Sequence, residues 1–160
     1  MSATKPILGE YVRTLDQRFR LGIPSTFLEI LIAQSPQLIL AKEQTGCLSL
    51  WPENVWRPHI ESAVKLVQST LHAGKLMQRT QEVQELGRLL STRHKVVSVA
   101  ERGRLVIPEG FRGFLAVEPK SDLIVVGAAV CVELWQPTAW NAFISDEMPM
   151  FQKKIDALSI

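Results

Sequence analysis

The chain has 160 residues, 46% of them hydrophobic and 21% charged, with a formal net charge of +2. That length buries a sizeable core without disulfides or metals, and the composition excludes a disordered chain. The charge falls short of the balance that by itself marks a nucleic-acid binder. The positive surplus lies in the middle, where residues 57–94 carry six Lys or Arg against three Glu. Phosphate binding would therefore come from local clusters or from repetition in an oligomer.

The opening stretch MSATKPILGEYVR has no apolar core of signal-peptide length, so no secretion is expected. The chain then reads as a strand, a charged turn within LDQRFRLGIP (residues 15–24), a short strand closed by Pro24, and a short helix begun by Ser25, Thr26 and Phe27. Proline cannot donate to a β-ladder, and its fixed φ suits the first turn of a helix. QLILA and GCLSLW are strands by length and by their branched residues, the second ending in Leu50 and Trp51. Two helices follow. WRPHIESAVKLVQSTL carries Ile60, Ala63, Val64, Val67 and Leu71 on one face, and LMQRTQEVQELGRLLS carries Met77, Val83, Leu86 and Leu90, with Gly74 between them. The first order then returns: VAERGRLVIP (residues 99–108), a short helix around Phe111, and the strands DLIVV and VCVELW. Trp140, Phe143, Ile144, Ile155 and Leu158 give the tail a helical pattern.

The return is a duplication. A shift of 84 positions aligns Val12 with Val96, Arg18 with Arg102, Arg20 with Arg104, Leu21 with Leu105, Ile23 with Ile107, Pro24 with Pro108 and Phe27 with Phe111. The same shift aligns Leu31 with Leu115, Cys47 with Cys131, Leu50 with Leu134, Trp51 with Trp135 and Trp56 with Trp140. The chain holds only four tryptophans, and all of them fall into register. The organisation expected is a first repeat over 8–56, a helical connector over 57–91, a second repeat over 92–140 and a helical tail over 141–160.

Cys47 and Cys131 lie in apolar runs away from any metal-ligand spacing and read as small buried hydrophobes. His59, His72 and His94 lack acidic or cysteine partners at metal spacing, and His94, between Arg93 and Lys95, reads as part of a basic patch. The four tryptophans read as core. No nucleophile with its base, no glycine-rich phosphate loop and no paired carboxylates appear, so neither an enzyme, a cofactor nor a small-molecule substrate is expected. The longest uncharged apolar run, residues 123–132, is half the length of a membrane helix. A cytoplasmic location is expected by default.

The pattern Asp-x-x-x-Arg, a short apolar strand ending in Pro, and a strand ending in Leu-Trp resembles the SpoVT/AbrB swapped-hairpin domain. Two such copies around a helical connector resemble the MraZ family of bacterial transcriptional regulators, over about residues 10–140. The resemblance implies a mainly β protein with helices (α+β), its two repeats forming a double-psi-type β-barrel. It further implies a ring-shaped homo-oligomer that binds double-stranded DNA at the nucleoid, near genes of cell division and the cell wall.

Carried over residue by residue, the motif places Asp16 at its aspartate, Arg18 at its basic position and Arg20 at its arginine. Arg102 and Arg104 take the basic positions of the second copy, with Gly103 at the turn glycine. Phe19 stands where the first copy should have glycine, and Ala100 where the second should have aspartate. In an extended segment Arg18 with Arg20, and Arg102 with Arg104, would each share a face and meet neighbouring phosphates, with Asp16 orienting Arg20. Phe19 leaves two alternatives: a first turn of different conformation, or a ring presented outward for stacking or protein contact. A diverged barrel acting as a protein-interaction scaffold is the competing function, with Phe19 and Ala100 in its favour.

Overall fold

The computed structural model describes residues 4–72 and 76–159. Gly74 lies outside the described residues, as does the side chain of Met77. Among the described residues, eight strands and six α-helices make a mixed α+β fold. The strands are β1 (Ile7–Thr14), β2 (Arg20–Gly22), β3 (Leu38–Gln44), β4 (Cys47–Pro52), β5 (His94–Val97), β6 (Arg104–Val106), β7 (Asp122–Ala129) and β8 (Val132–Trp135). The helices are α1 (Ser25–Gln34), α2 (Glu53–His72), α3 (Leu76–Thr92), α4 (Glu109–Leu115), α5 (Pro137–Glu147) and α6 (Phe151–Leu158).

The strands form two antiparallel sheets, one of six in the order β1-β7-β8-β4-β3-β5 and one of two, β2-β6. Exchanging each strand for its repeat counterpart reads the six-stranded order backwards, so a pseudo-twofold axis passes between β4 and β8. The residues on it pair with their own counterparts: Ser49 with Glu133 in the large sheet, and Leu21 with Leu105 in the small one. Each repeat lends its first strand to the other, β1 pairing with β7 and β5 with β3. The edges β1 and β5 do not pair with each other, so the ladders leave the sheet open. The closed double-psi-type barrel implied by the resemblance is not formed by them.

The gapless shift of 84 holds through the turns, α1 and α4, and β4 and β8, but slips to 85 across β3 and β7. Leu38 lies opposite Val97, whereas Leu123 lies opposite Arg13. Burial follows the slipped register: Leu38 and Leu40 enter the core as Leu123 and Val125 do. The extra residue sits before β7, and the count is recovered at the irregularity between Lys42 and Gln44.

The core lies along the axis, built from Leu15, Leu21, Ile23, Phe27, Leu31, Leu48 and Leu50 with Leu105, Ile107, Phe111, Leu115, Val132 and Leu134. Burial of this apolar surface is the main force holding the exchanged halves together. Pro24 and Pro108 end their strands and lead straight into α1 and α4. Helix α2 starts at Glu53, three residues before the expected Trp56, and Glu53 pairs with Arg57 across its first turn. Trp56 is the buried residue of that helix, whereas Val64, Leu66, Leu71 and Leu89 of the α2–α3 hairpin are exposed.

The aromatic residues form two matching clusters over the sheet. Trp51, Trp56 and His59 pack together in one, and Trp135, Trp140 and Phe143 in the other, with centroids 5.1–5.9 Å apart. Trp56 and Trp135 are buried, Trp51 and Trp140 half-buried. Both cysteines are buried free thiols, and burial pushes their pKa well up. His94 stands between Arg93 and Lys95 and packs toward Trp56, and burial followed by the charge of Arg93 lowers its pKa.

Candidate nucleic-acid interface

The two charged turns flank the β2–β6 ribbon and share one pattern of backbone hydrogen bonds. The N–H of Asp16 donates to the carbonyl of Arg20 at 2.9 Å, and that of Ala100 to Arg104 at 2.8 Å. The N–H of Phe19 donates to Asp16, and that of Gly103 to Ala100, both at 3.1 Å. Each turn is then stitched to the other half, Ile107 N–H donating to Phe19 and Ile23 N–H to Gly103, both at 2.8 Å. The segments are thus tight turns, not extended strands, and the expected alternation of Arg18 with Arg20 and of Arg102 with Arg104 does not hold.

What converges is different. Arg20, opposite Val106, and Arg104, opposite Gly22, share the face of the ribbon away from the buried Leu21 and Leu105. Arg20, Arg102 and Arg104 line one open cleft of about 490 Å³, with Ala100, Glu101 and Val106. Three of the four expected arginines therefore meet across the two repeats. Arg18 stands exposed at the tip of the first turn, outside this cleft.

In the first turn Asp16 organises everything. Its Oδ1 accepts from the backbone N–H of Arg18 at 2.8 Å and of Arg20 at 2.9 Å, and its Oδ2 accepts from Arg20 Nε at 2.8 Å. The backbone N–H of Arg20 is the largest cause holding its carboxyl below the usual aspartate value. This anchor therefore persists at neutral pH and is lost only as pH falls through that depressed value. In the second turn Ala100 offers no such acceptor, and Arg102 and Arg104 are exposed with no ion pair among the described residues.

Of the two alternatives open in the sequence for Phe19, the first holds in part: the turns differ at the preceding residue, Arg102 being left-handed at φ 65° while Arg18 is not. The backbone of Phe19 takes the left-handed conformation of the motif glycine, φ 57°, as Gly103 does at φ 72°. The Phe19 ring is not presented outward but half-buried against the core, with the Arg112 guanidinium 4.1 Å from its centroid. Arg112 is fixed in turn by donating from Nε to the Ile107 carbonyl at 2.9 Å. In the other half the arrangement is inverted. Leu28 stands at the position of Arg112, and a Cβ on Gly103 would lie 2.9 Å from the Ile23 carbonyl and 3.4 Å from Leu28.

Two residues of this surface went unnoticed in the sequence. Glu101 lines the cleft among the arginines, where the first copy has the neutral Gln17. Arg112 braces Phe19 from α4. The shift of 84 already set Glu101 against Gln17 and Arg112 against Leu28, so the signal was present as a pair of mismatches. Among the described residues, no group of three His, Cys, Asp or Glu could hold a metal, and no helix is long and apolar enough to cross a membrane.

The fold and this surface define an internally duplicated α+β protein that exchanges strands between its halves and presents two basic turns from one ribbon. The family model described as "MraZ protein, putative antitoxin-like" matches residues 96–159, the second repeat and the tail. Similarity to the transcriptional regulator MraZ of Roseiflexus castenholzii is 30% identity over 138 residues, 86% of each chain. For the protein of that name from Thermomicrobium roseum it is 27% over 154 residues, 94% of this chain and 98% of the relative. For that from Limosilactobacillus reuteri it is 28% over 154 residues, 96% and 98% respectively. The chain belongs to the MraZ family. The solution structure of PHS018 from Pyrococcus horikoshii aligns over 81% of this chain and 90% of its own at 10% identity, with a TM-score of 0.32.

Proposed function

We propose that this protein is a sequence-specific DNA-binding transcriptional regulator. It acts as a ring-shaped homo-oligomer on double-stranded DNA at the nucleoid, upstream of its own gene or of a cell-division and cell-wall cluster. The observation that carries this reading is the convergence of Arg20, Arg102 and Arg104 on one open cleft spanning both repeats. Arginine forks suit phosphates or a guanine edge. Phosphate contacts position such a protein, and repetition around a ring offsets the small charge of each protomer. Asp16 serves by holding Arg20, while Phe19 and Gly103 shape the two turns.

The test is binding to the upstream DNA over a salt series. Arg102→Ala with Arg104→Ala, and separately Arg20→Ala, should weaken binding and lower the dependence of log affinity on log salt by about one for each phosphate no longer neutralised. Folding should be unaffected, because these side chains lie outside the core. Unchanged affinity and slope would remove these residues from the interface. The scaffold reading has Ala100 and Glu101 in its favour, and oligomers that give no salt-dependent shift on any upstream fragment would support it instead.

A further inference from the structure

Two polar atoms in the interior stand unpaired. Trp56 Nε1 and His94 Nδ1 are each buried without a hydrogen-bond partner among the described residues. Such a group costs free energy if it stays unsatisfied. One is an obligatory donor, and the other is a ring nitrogen that accepts when the imidazole is neutral. Their rings lie 6.2 Å apart between centroids, tilted by 49°. Each nitrogen sits on the rim of its ring, so the two nitrogens lie closer than the centroids when the rims face each other, and a hydrogen bond between them requires that facing arrangement.

The other half of the molecule shows how these two positions pair. The counterpart of Trp56 is Trp140, and that of His94 is Glu10. Trp140 Nε1 donates to Glu10 Oε1 at 2.8 Å, tying β1 to α5. The backbones correspond as well, Glu10 lying opposite Val126 and His94 opposite Ala41 in the slipped register of β7 and β3.

We propose that Trp56 donates its indole N–H to the neutral Nδ1 of His94, tethering β5 to α2, and that protonation of His94 releases this tether and loosens the strand leading into the Arg102–Arg104 turn. A protonated imidazole carries N–H groups at both nitrogens, so donor would face donor. The halves then differ in kind: one tether ends on the carboxylate of Glu10, and the His94 tether is proton-operated.

The charged surroundings are consistent with a neutral ring. Arg93 precedes it, with its guanidinium 4.9 Å from the Trp56 centroid and its Nε donating to the Lys42 carbonyl at 3.1 Å. Glu43 lies 3.5 Å from Arg93 and offsets part of that charge. Lys95 follows on β5 opposite Leu40, Lys42 follows Ala41 on β3 with its ammonium 5.0 Å from the Phe111 centroid, and His59 of α2 packs on Trp56 at 5.5 Å. Burial and then Arg93 lower the His94 pKa below its ordinary value. A lowered histidine pKa adds stability above the unfolded value of about 6.5, and that stability is lost as pH falls through the folded value.

Nitrogen-15 NMR on the full-length chain tests the tether directly. At neutral pH His94 should carry its proton on Nε2, and the Trp56 indole N–H should be protected from exchange, both signatures disappearing together on acidification. Trp56→Phe should move the His94 midpoint upward, because the neutral ring loses its donor. His94→Glu should keep the Trp56 indole protected throughout. A proton on Nδ1 at neutral pH, or a midpoint unmoved by Trp56→Phe, overturns the tether.

The consequence for DNA rests on the proposed function. Wild-type affinity should fall on acidification more than that of His94→Glu. Coincident curves overturn the link to the turn, and no DNA binding by either protein overturns the functional reading while the NMR titration still decides the tether.

Discussion

A left-handed backbone at Phe19 costs about 1–2 kcal/mol relative to glycine, and the fold offsets it locally. The ring packs against the core, and Arg112 covers it at 4.1 Å. Phe19 thus keeps the left-handed backbone of the motif glycine with a different side chain. Glu101 is a departure of another sort, since it places a negative charge among the cleft arginines. Glu101→Gln, which restores the neutral residue of the first copy, should strengthen DNA binding several-fold at low salt, with the gain fading as salt rises. Titrations at two ionic strengths check this. The arginines themselves were legible, because repetition singles them out. Their grouping was not, because Arg20 and Arg104 become neighbours only through the pairing of β2 with β6, which no local pattern records.

The strand exchange depends on close backbone approach at one joint. A Cβ on Gly127 would lie 2.6 Å from the Ile7 carbonyl, where β1 crosses onto β7 opposite Gly9. Gly127→Ala should therefore force β1 away from its partner and cost about 1–3 kcal/mol, the usual range for overpacking. For a chain of this size that is a fall in Tm of about 2–4 °C per kcal/mol, measurable by thermal denaturation. The elements were largely readable from branched residues, proline positions and apolar spacing. The slip between β3 and β7 was not, because both strands are apolar on successive residues and so carry no alternation to fix their phase. The start of α2 was missed because the apolar spacing that marks the helix runs only from Ile60 onward.

At the scale of the molecule, the halves are not separable. Among the described residues, β1 pairs only with β7, and β5 only with β3. Fragments 1–72 and 93–160 should each lack stable structure alone and recover the native circular-dichroism spectrum when mixed, with a dependence on concentration. The fragment outcome distinguishes an exchanged fold from two tandem modules, each of which would fold by itself.

The axis also sets a pH response. Burial, with Glu43 nearby, raises the pKa of Glu133, while its Oε1 accepts from Trp135 Nε1 at 3.1 Å. A raised carboxyl pKa means the fold carries a penalty at neutral pH that disappears as the side chain protonates. Glu133→Gln keeps an acceptor for Trp135 and should be more stable than wild type near pH 7. The difference should vanish by about the ordinary glutamate value of 4.3, as parallel denaturant titrations would show.

Ser49 and Glu133 pair across the axis, and Ser49 is 0% exposed. Were the halves two identical free chains, that place would hold the same side chain twice, and a glutamate there would meet another carboxylate in a dry setting. Covalent linkage of the two lifts this restriction. One side can keep an acid while the other supplies a hydroxyl, and the same freedom lets Glu10 face Trp140 while His94 faces Trp56. Joining the copies in one polypeptide thus gives a symmetric scaffold two chemically distinct sides, each able to change without its twin.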